Sequence, residues 1–309
     1  MKPQARLRVF THPACLLHDT GEGHPERPAR LRAVLDALRD AFPDLDWREA
    51  PRATRGQLLR AHAPELLQQV LETRPRTRVR LDPDTVLSPD SDEAALRAAG
   101  AGIAAVDAVL RGDVTRAFCA VRPPGHHATH DTAMGFCLFN NIAIAGLHAL
   151  AAHGLERIAI ADFDVHHGNG TQALVEAEAR ALYVSSHAWP LYPGTGTRDE
   201  RGSGNIVNAP LPMDADGAAF RGAWTDTLLP AIDAFRPQLL LVSAGFDAHR
   251  DDPLAQMRLD AADFAWLTRQ LVELADKHCR GRIVSMLEGG YDLAALGESS
   301  VAHVRELLA

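Results

Sequence analysis

The chain has 309 residues, enough for one large domain or two ordinary ones with a substantial core. Its 32 Lys and Arg against 40 Asp and Glu give a net charge of -8, which argues against a general nucleic-acid binder and tolerates a cationic substrate. No apolar run approaches the ~20 residues of a membrane span, residues 1–10 lack the apolar core of a signal peptide, and no Pro/Gly/Ser-rich linker divides the chain. The expectation is one cytoplasmic domain over residues 1–309, bound to neither membrane nor nucleic acid, with its oligomeric state open.

In chain order, residues 7–10 form the first strand-like run. Leu31, Val34, Leu35 and Leu38 then keep helical spacing behind Pro28, where a missing N–H is harmless. The Arg-rich stretch 74–80 reads as a solvated loop. Residues 94–110 read as an Ala-rich buried helix stopped by Gly112, and 117–121 as a strand. A helix over 142–152 stopped by Gly154 precedes a strand over 158–161, a helix over 170–179 and a strand over 181–185. A helix over 218–235, kinked or split by Pro230, leads to a strand over 239–243. The pattern closes with a helix over 261–277, a strand over 283–287 and a last helix after Asp292. Continuously apolar strands alternating with helices predict an α/β fold, a parallel sheet with helices on both faces.

Chemistry concentrates where strands run into loops. Asp162-Phe163-Asp164-Val165-His166 follows one apolar run, and if the strand continues that far, its alternation puts Asp162, Asp164 and His166 on one face. Buried carboxylates need a partner, and a divalent metal is the simplest one. Three other strand ends carry Arg122-Pro123-Pro124-Gly125-His126-His127, Ser243-Ala244-Gly245-Phe246-Asp247 and Glu288-Gly289-Gly290-Tyr291. Ligands of parallel sheets bind at such carboxyl ends.

Asp164, His166 and Asp247 offer one nitrogen and two carboxylates and leave a position open, the pattern of a catalytic zinc, with Fe(II), Co(II) or Mn(II) as other occupants. The His126-His127 pair supplies a base, and Tyr291, after two glycines, supplies an oxyanion donor. Together these groups describe hydrolysis of an amide. Cys15, Cys119, Cys137 and Cys279 lack zinc-site spacing and are expected reduced and buried; Cys137 alone sits close to the site, two residues past Gly135.

From His24-Pro25-Glu26-Arg27-Pro28 to Glu288-Gly289-Gly290-Tyr291-Asp292-Leu293, the chain resembles the zinc-dependent histone deacetylase and acetylpolyamine amidohydrolase superfamily in a bacterial class II-like form. The resemblance implies the arginase/deacetylase fold, with a central parallel sheet of about eight strands. It assigns Zn2+ to Asp164, His166 and Asp247, the general base and acid to His127, its electrostatic partner to His126, and the oxyanion donor to Tyr291. Asp162 would orient His126 and, with Asp164, His166, Ser185 and Ser186, several through backbone carbonyls, hold a structural K+. Asn169 occupies the position that is Asn in class II enzymes, a neutral orienter for His127.

By the same resemblance Phe136 and Tyr192 wall an acyl-lysine tunnel, Gly135 offers a carbonyl to substrate, Gly290 lies at the substrate beside Tyr291, and Leu254 stands where polyamine-specific relatives carry an acidic gatekeeper. A rim residue among Asp90, Ser91 and Asp92 would hold the substrate backbone. The expected substrate is an acylated lysine peptide or a related small acyl amine. Competing readings are an acetylpolyamine deacetylase on the same chemistry, a non-catalytic acyl-lysine binder, and a binuclear manganese hydrolase of the arginase type, for which the stretch around Asp247 has one Asp too few.

Overall fold

The computed structural model describes residues 7–309; residues 1–6, part of the stretch read above for a signal sequence, lie outside the described residues. Eight parallel strands form the central sheet: β1 (Leu7–Thr11), β2 (Asp46–Glu49), β5 (Arg116–Cys119), β6 (Ile158–Asp162), β7 (Ala181–Trp189), β8 (Ile206–Pro212), β9 (Leu239–Ala244) and β10 (Ile283–Leu287). Their order is β2-β1-β5-β10-β9-β6-β7-β8, and a hairpin of two-residue strands pairs β3 (Val79–Arg80) with β4 (Val86–Leu87). The four central strands, β5, β10, β9 and β6, are buried along their whole length, as continuous apolar runs covered on both faces should be.

Helices cover both faces: α1 (Pro28–Ala41), α2 (Arg55–Leu58), α3 (Pro64–Glu72), α4 (Ser91–Arg111), α5 (Asn141–Ala152), α6 (Asn169–Val175), α7 (Gly217–Ala223), α8 (Leu229–Phe235), α9 (Ala261–His278) and α10 (Leu293–Leu308). Gly112 ends α4 in the left-handed region at φ 82°, the stop its position predicts. Pro230 splits its helix as expected. A π turn over Trp224–Leu228 separates α7 from α8, where the proline can give no N–H to the preceding turn.

Two strands of the sheet escape the apolar-run reading because both are edges. β2 is Asp-Trp-Arg-Glu and half exposed, while β8 carries Pro210 and Pro212, residues tolerated where one side of the ladder is open. The expected helix over 170–179 ends earlier, at Val175. Among the described residues no helix is long and apolar enough to cross a membrane.

Candidate metal centre and catalytic site

β5, β10, β9 and β6 are neighbours, so their carboxyl ends bring four separate sequence segments to one place. After β5 come His126 and His127, after β10 Tyr291, after β9 Asp247, and after β6 Asp164 and His166. One detail differs from the expectation. β6 stops at Asp162, so strand alternation does not align Asp162, Asp164 and His166. A loop turns instead, with Asp162 Oδ1 accepting the Asp164 N–H at 3.2 Å, and Asp162 is left to face His126 and Tyr183.

His166 Nδ1 lies 3.1 Å from Asp164 Oδ1 and 3.1 Å from Asp247 Oδ2, and the three side chains are buried. The remaining oxygens are fixed by backbone: Asp164 Oδ2 accepts from Gly289 N at 2.8 Å, and Asp247 Oδ1 from Val165 N at 2.9 Å. A Cβ on Gly245 would strike Asp164 Oδ2, and one on Gly289 would strike Asp247 Oδ2, so glycine is required for the carboxylates to sit this close.

The electrostatics show what the triangle is shaped for. Burial, and then the Asp164 carboxylate, push Asp247 up to about 7. Burial opposes a cation at His166, yet hydrogen bonds to Asp164 and Asp247 hold its imidazole at about 10. The group therefore gathers positive charge at its centre, and the donor set, one imidazole nitrogen and two carboxylates within 4.8 Å of one another, fits a divalent metal in place of that proton.

His127 Nδ1 lies 2.8 Å from Asn169 Oδ1, while Asn169 Nδ2 donates to the Met134 sulfur at 3.4 Å. With Oδ1 as acceptor, Nδ1 carries the hydrogen and Nε2 keeps its lone pair. Burial, and then the charge on His126 and His166, hold His127 well below its ordinary value, so its imidazole is neutral. His126 is the opposite case: burial works against its charge, but Asp164 and Asp162 hold it at about 10. Its Nδ1 lies 3.1 Å from Asp162 Oδ2, which also accepts from Tyr183 Oη at 3.0 Å.

A cavity of about 260 Å³ opens above these groups, lined by Asp84, His127, Gly135, Phe136, His166, Leu191, Tyr192, Leu254 and Tyr291. Phe136 meets Tyr291 edge to face at 5.9 Å, and Tyr192 meets His127 at 5.1 Å, so both aromatics wall the cavity as expected. Tyr192 and Leu254, 38% and 37% exposed, stand at its mouth. Gly290, beside Tyr291, is not in that lining. The rim expectation at Asp90, Ser91 and Asp92 is corrected: none of them lines the cavity, and Ser91 is buried in a network with His18 and Ser88. Asp84, at the tip of the β3–β4 hairpin, takes that place.

The residues expected around a potassium ion are spread over two faces. Ser185 pairs in register with Asp162, and its hydroxyl meets His187 Nδ1 at 2.9 Å; the Ser186 hydroxyl points to the other face and accepts from Trp224 Nε1 at 3.0 Å. Cys137 is buried, donates to Gly135 O at 3.3 Å and is pushed far above an ordinary thiol by burial, so it is not a reactive nucleophile. The other three cysteines are buried free thiols, as expected.

Several residues at the site escaped the sequence reading. Glu288 holds the His126 loop, accepting from Gly125 N at 2.7 Å and His126 N at 3.2 Å. Arg30 donates to Glu288 O at 2.6 Å and to Gly290 O, and its guanidinium lies 4.8 Å from the Tyr291 ring centroid. Asp252 accepts the Tyr291 N–H at 2.7 Å. Thr85 Oγ1 accepts from Phe136 N at 3.1 Å. Glu26, Arg30 and Glu288 stand in or beside the quoted motifs, but nothing local in the sequence shows which distant atoms they meet.

A second group, Asp107, His148 and His153, also converges, with both Nε2 atoms 2.8 and 2.7 Å from Asp107 Oδ1. Arg60 donates to His148 Nδ1 at 3.0 Å, which puts the His148 hydrogen on Nε2 and makes this a hydrogen-bonded tie between α4 and α5.

Comparison with known proteins gives one consistent family. The histone deacetylase domain matches residues 24–307. The histone deacetylase-like amidohydrolase of Pseudomonas aeruginosa is 40% identical over 92% of this chain and 77% of its own length. The human polyamine deacetylase HDAC10 is 41% identical over 95% of this chain and 46% of its own. The crystal structure of the HDA15 HD domain superposes with a TM-score of 0.94 at 38% identity, covering 98% of this chain and 88% of that one.

Proposed function

The chain belongs to the histone deacetylase family of hydrolytic deacetylases, and we propose that it acts as a single class II-like domain that removes acyl groups from acylated lysine side chains. Zinc, held by Asp164, His166 and Asp247, would supply Lewis acidity toward the acyl carbonyl and lower the pKa of water. A structural potassium ion, which Asp162, Asp164, His166, Ser185 and Ser186 would hold, several through backbone carbonyls, is part of the same reading.

The chain's own groups divide the remaining work. His127 Nε2 takes a proton from water as the water oxygen joins the acyl carbon, and returns a proton to the amine nitrogen as the C–N bond breaks. The products are a carboxylate and a free amine. The Tyr291 phenol donates a hydrogen bond to the oxygen that gains charge. His126, tied to Asp162 and with its ring centroid 4.0 Å from that of His127, opposes a second positive charge there and so favours a neutral base. Phe136 and Tyr192 hold the acyl-lysine stem between two aromatic rings, and Gly135 lines the cavity beside them.

The observation that carries this reading is the shared lining: a neutral imidazole base, a phenol and a metal-donor imidazole face one cavity of about 260 Å³. The test is deacylation of acetyl-lysine peptides, longer acyl-lysine peptides and acetylated polyamines, with chelated and zinc-restored protein. Chelator-sensitive turnover preferring lysine peptides supports it. No turnover with zinc bound would sink it.

Asp84 favours a second reading, acetylpolyamine deacylation, because a carboxylate at the mouth attracts a distant ammonium. The exposed Leu254 opposes it, as it offers no charge there. Preference for acetylated polyamines in the same assay would decide for this alternative.

A further inference from the structure

Asp252 sits at the end of the turn that follows Asp247 and is 6% exposed. The turn is tied down by Asp252 N donating to His249 O at 2.9 Å and Leu259 N donating to Ala248 O at 3.1 Å. Its two carboxylate oxygens serve two distant places. Oδ1 accepts the backbone N–H of Leu254 at 2.9 Å, and Oδ2 accepts that of Tyr291 at 2.7 Å. Leu254 is at the cavity mouth, and Tyr291, 8% exposed, is the phenol inside it.

The Tyr291 backbone has little else to fix it from this side. Gly289 and Gly290 precede it without side chains to pack, and Gly290 lies at φ 119°, a conformation open to glycine and strained for other residues. On the far side the Arg30 guanidinium lies near the ring and binds Gly290 O. The Tyr291 ring thus lies beside a cation, while the backbone that carries it is bonded to the Asp252 carboxylate, which is also bonded to the Leu254 N–H at the mouth.

We propose that Asp252 is a positioning residue for the deacylation step: by accepting the N–H groups of Leu254 and Tyr291 together, it fixes the phenol against the cavity and makes the mouth and the phenol move as one unit. This rests on Tyr291 being the oxyanion donor. Asp252 itself touches no substrate in this scheme; it acts through Tyr291.

A double-mutant cycle on the zinc-loaded protein tests it, because a residue that acts through Tyr291 has nothing to lose once the phenol is gone. Asp252→Asn keeps one acceptor but turns an NH2 toward the other N–H. It is expected to lower kcat about tenfold or more in the wild-type background and less than about twofold in Tyr291→Phe, with zinc content unchanged in both. Equal losses in the two backgrounds would show a merely structural role and overturn the proposal, as would wild-type kcat in Asp252→Asn. Should that variant fail to fold, Asp252→Glu keeps the charge near Arg30 while displacing the oxygens, and the same cycle applies; undiminished kcat there overturns the proposal equally. Failure of the underlying reading looks different, since Tyr291→Phe alone would then retain near wild-type turnover.

Discussion

Asn169 Oδ1 lies 2.8 Å from His127 Nδ1 and presents an amide oxygen there, not a carboxylate. The contact fixes the tautomer that leaves Nε2 free, and it does so without favouring the imidazolium. An imidazole held this way can serve the proposed role of base near neutral pH. Its cost is a weak hold on the proton it takes, which the leaving amine then receives easily.

Asn169→Asp keeps the tautomer and adds a negative charge beside His127. The cation gains stability, so the His127 pKa rises and a larger fraction is protonated at a given pH. The acid limb of the kcat/KM profile is expected to move up by on the order of one pH unit or more. A pH–rate series on one acyl-lysine peptide measures this; an unmoved acid limb would remove His127 from the role of base.

Tyr291→Phe deletes the phenol while leaving the ring to pack against Phe136 and Arg30. Turnover is expected to fall on the order of a hundredfold or more, the usual effect of losing one oxyanion donor, with metal still bound. Steady-state kinetics beside metal analysis of the same sample separates the two quantities. Near wild-type kcat would end the assignment.

Gly289→Ala places a methyl against Asp247 Oδ2 and threatens the N–H that Asp164 Oδ2 accepts. Zinc affinity is expected to drop about tenfold to a hundredfold, as when the partners that orient metal ligands are disturbed. Gly245→Ala, which meets Asp164 Oδ2, should behave alike. Competition with a chelator of known affinity reads the loss, and unchanged affinity in both variants would show that these carboxylates can part without harm to the site.

The parts of this molecule written locally in the chain were readable from it. Apolar runs such as Ile158–Asp162 declare buried strands, and Gly112 and Pro230 act where they stand. The convergence of Asp164, His166 and Asp247 beside His126 and His127 was legible because residue types at that spacing have few other uses. What could not be read is set by other parts of the molecule. β2 and β8 are edges whose polar and proline residues carry no apolar run. The alternation argument for Asp162, Asp164 and His166 failed because the strand stops at the first of them. Arg30, Asp252 and Glu288 bind backbone atoms far along the chain, and Asp84 reaches the cavity only through the fold of a short hairpin.

Glu26 sets the acid limit of the fold in a way that can be separated from the histidines. Burial works against its charge, but Arg122 and Arg30 outweigh burial and hold it at about 2, with Arg122 Nη2 2.6 Å from Oε2 and Arg30 Nη1 3.1 Å from Oε1. Its folded value lies below the unfolded value of about 4.5, so its contribution is complete above pH ~4.5 and is lost as pH falls toward 2. His18 and His303 are lowered to about 4 and about 3, chiefly by burial; the unfolded chain takes up their protons first, so their contribution is complete above pH ~6.5 and shrinks below it. Melting temperature should therefore decline in two stages, one beginning near pH 6.5 and a second near 4.5. Glu26→Gln leaves Arg122 and Arg30 buried without their counter-charge and is expected to cost roughly 3 to 5 kcal/mol at neutral pH. It should also flatten the second stage while leaving the first in place. Denaturant melts of both proteins from pH 7 to pH 3 check this, and a second stage that persists in the variant would assign it to other carboxylates.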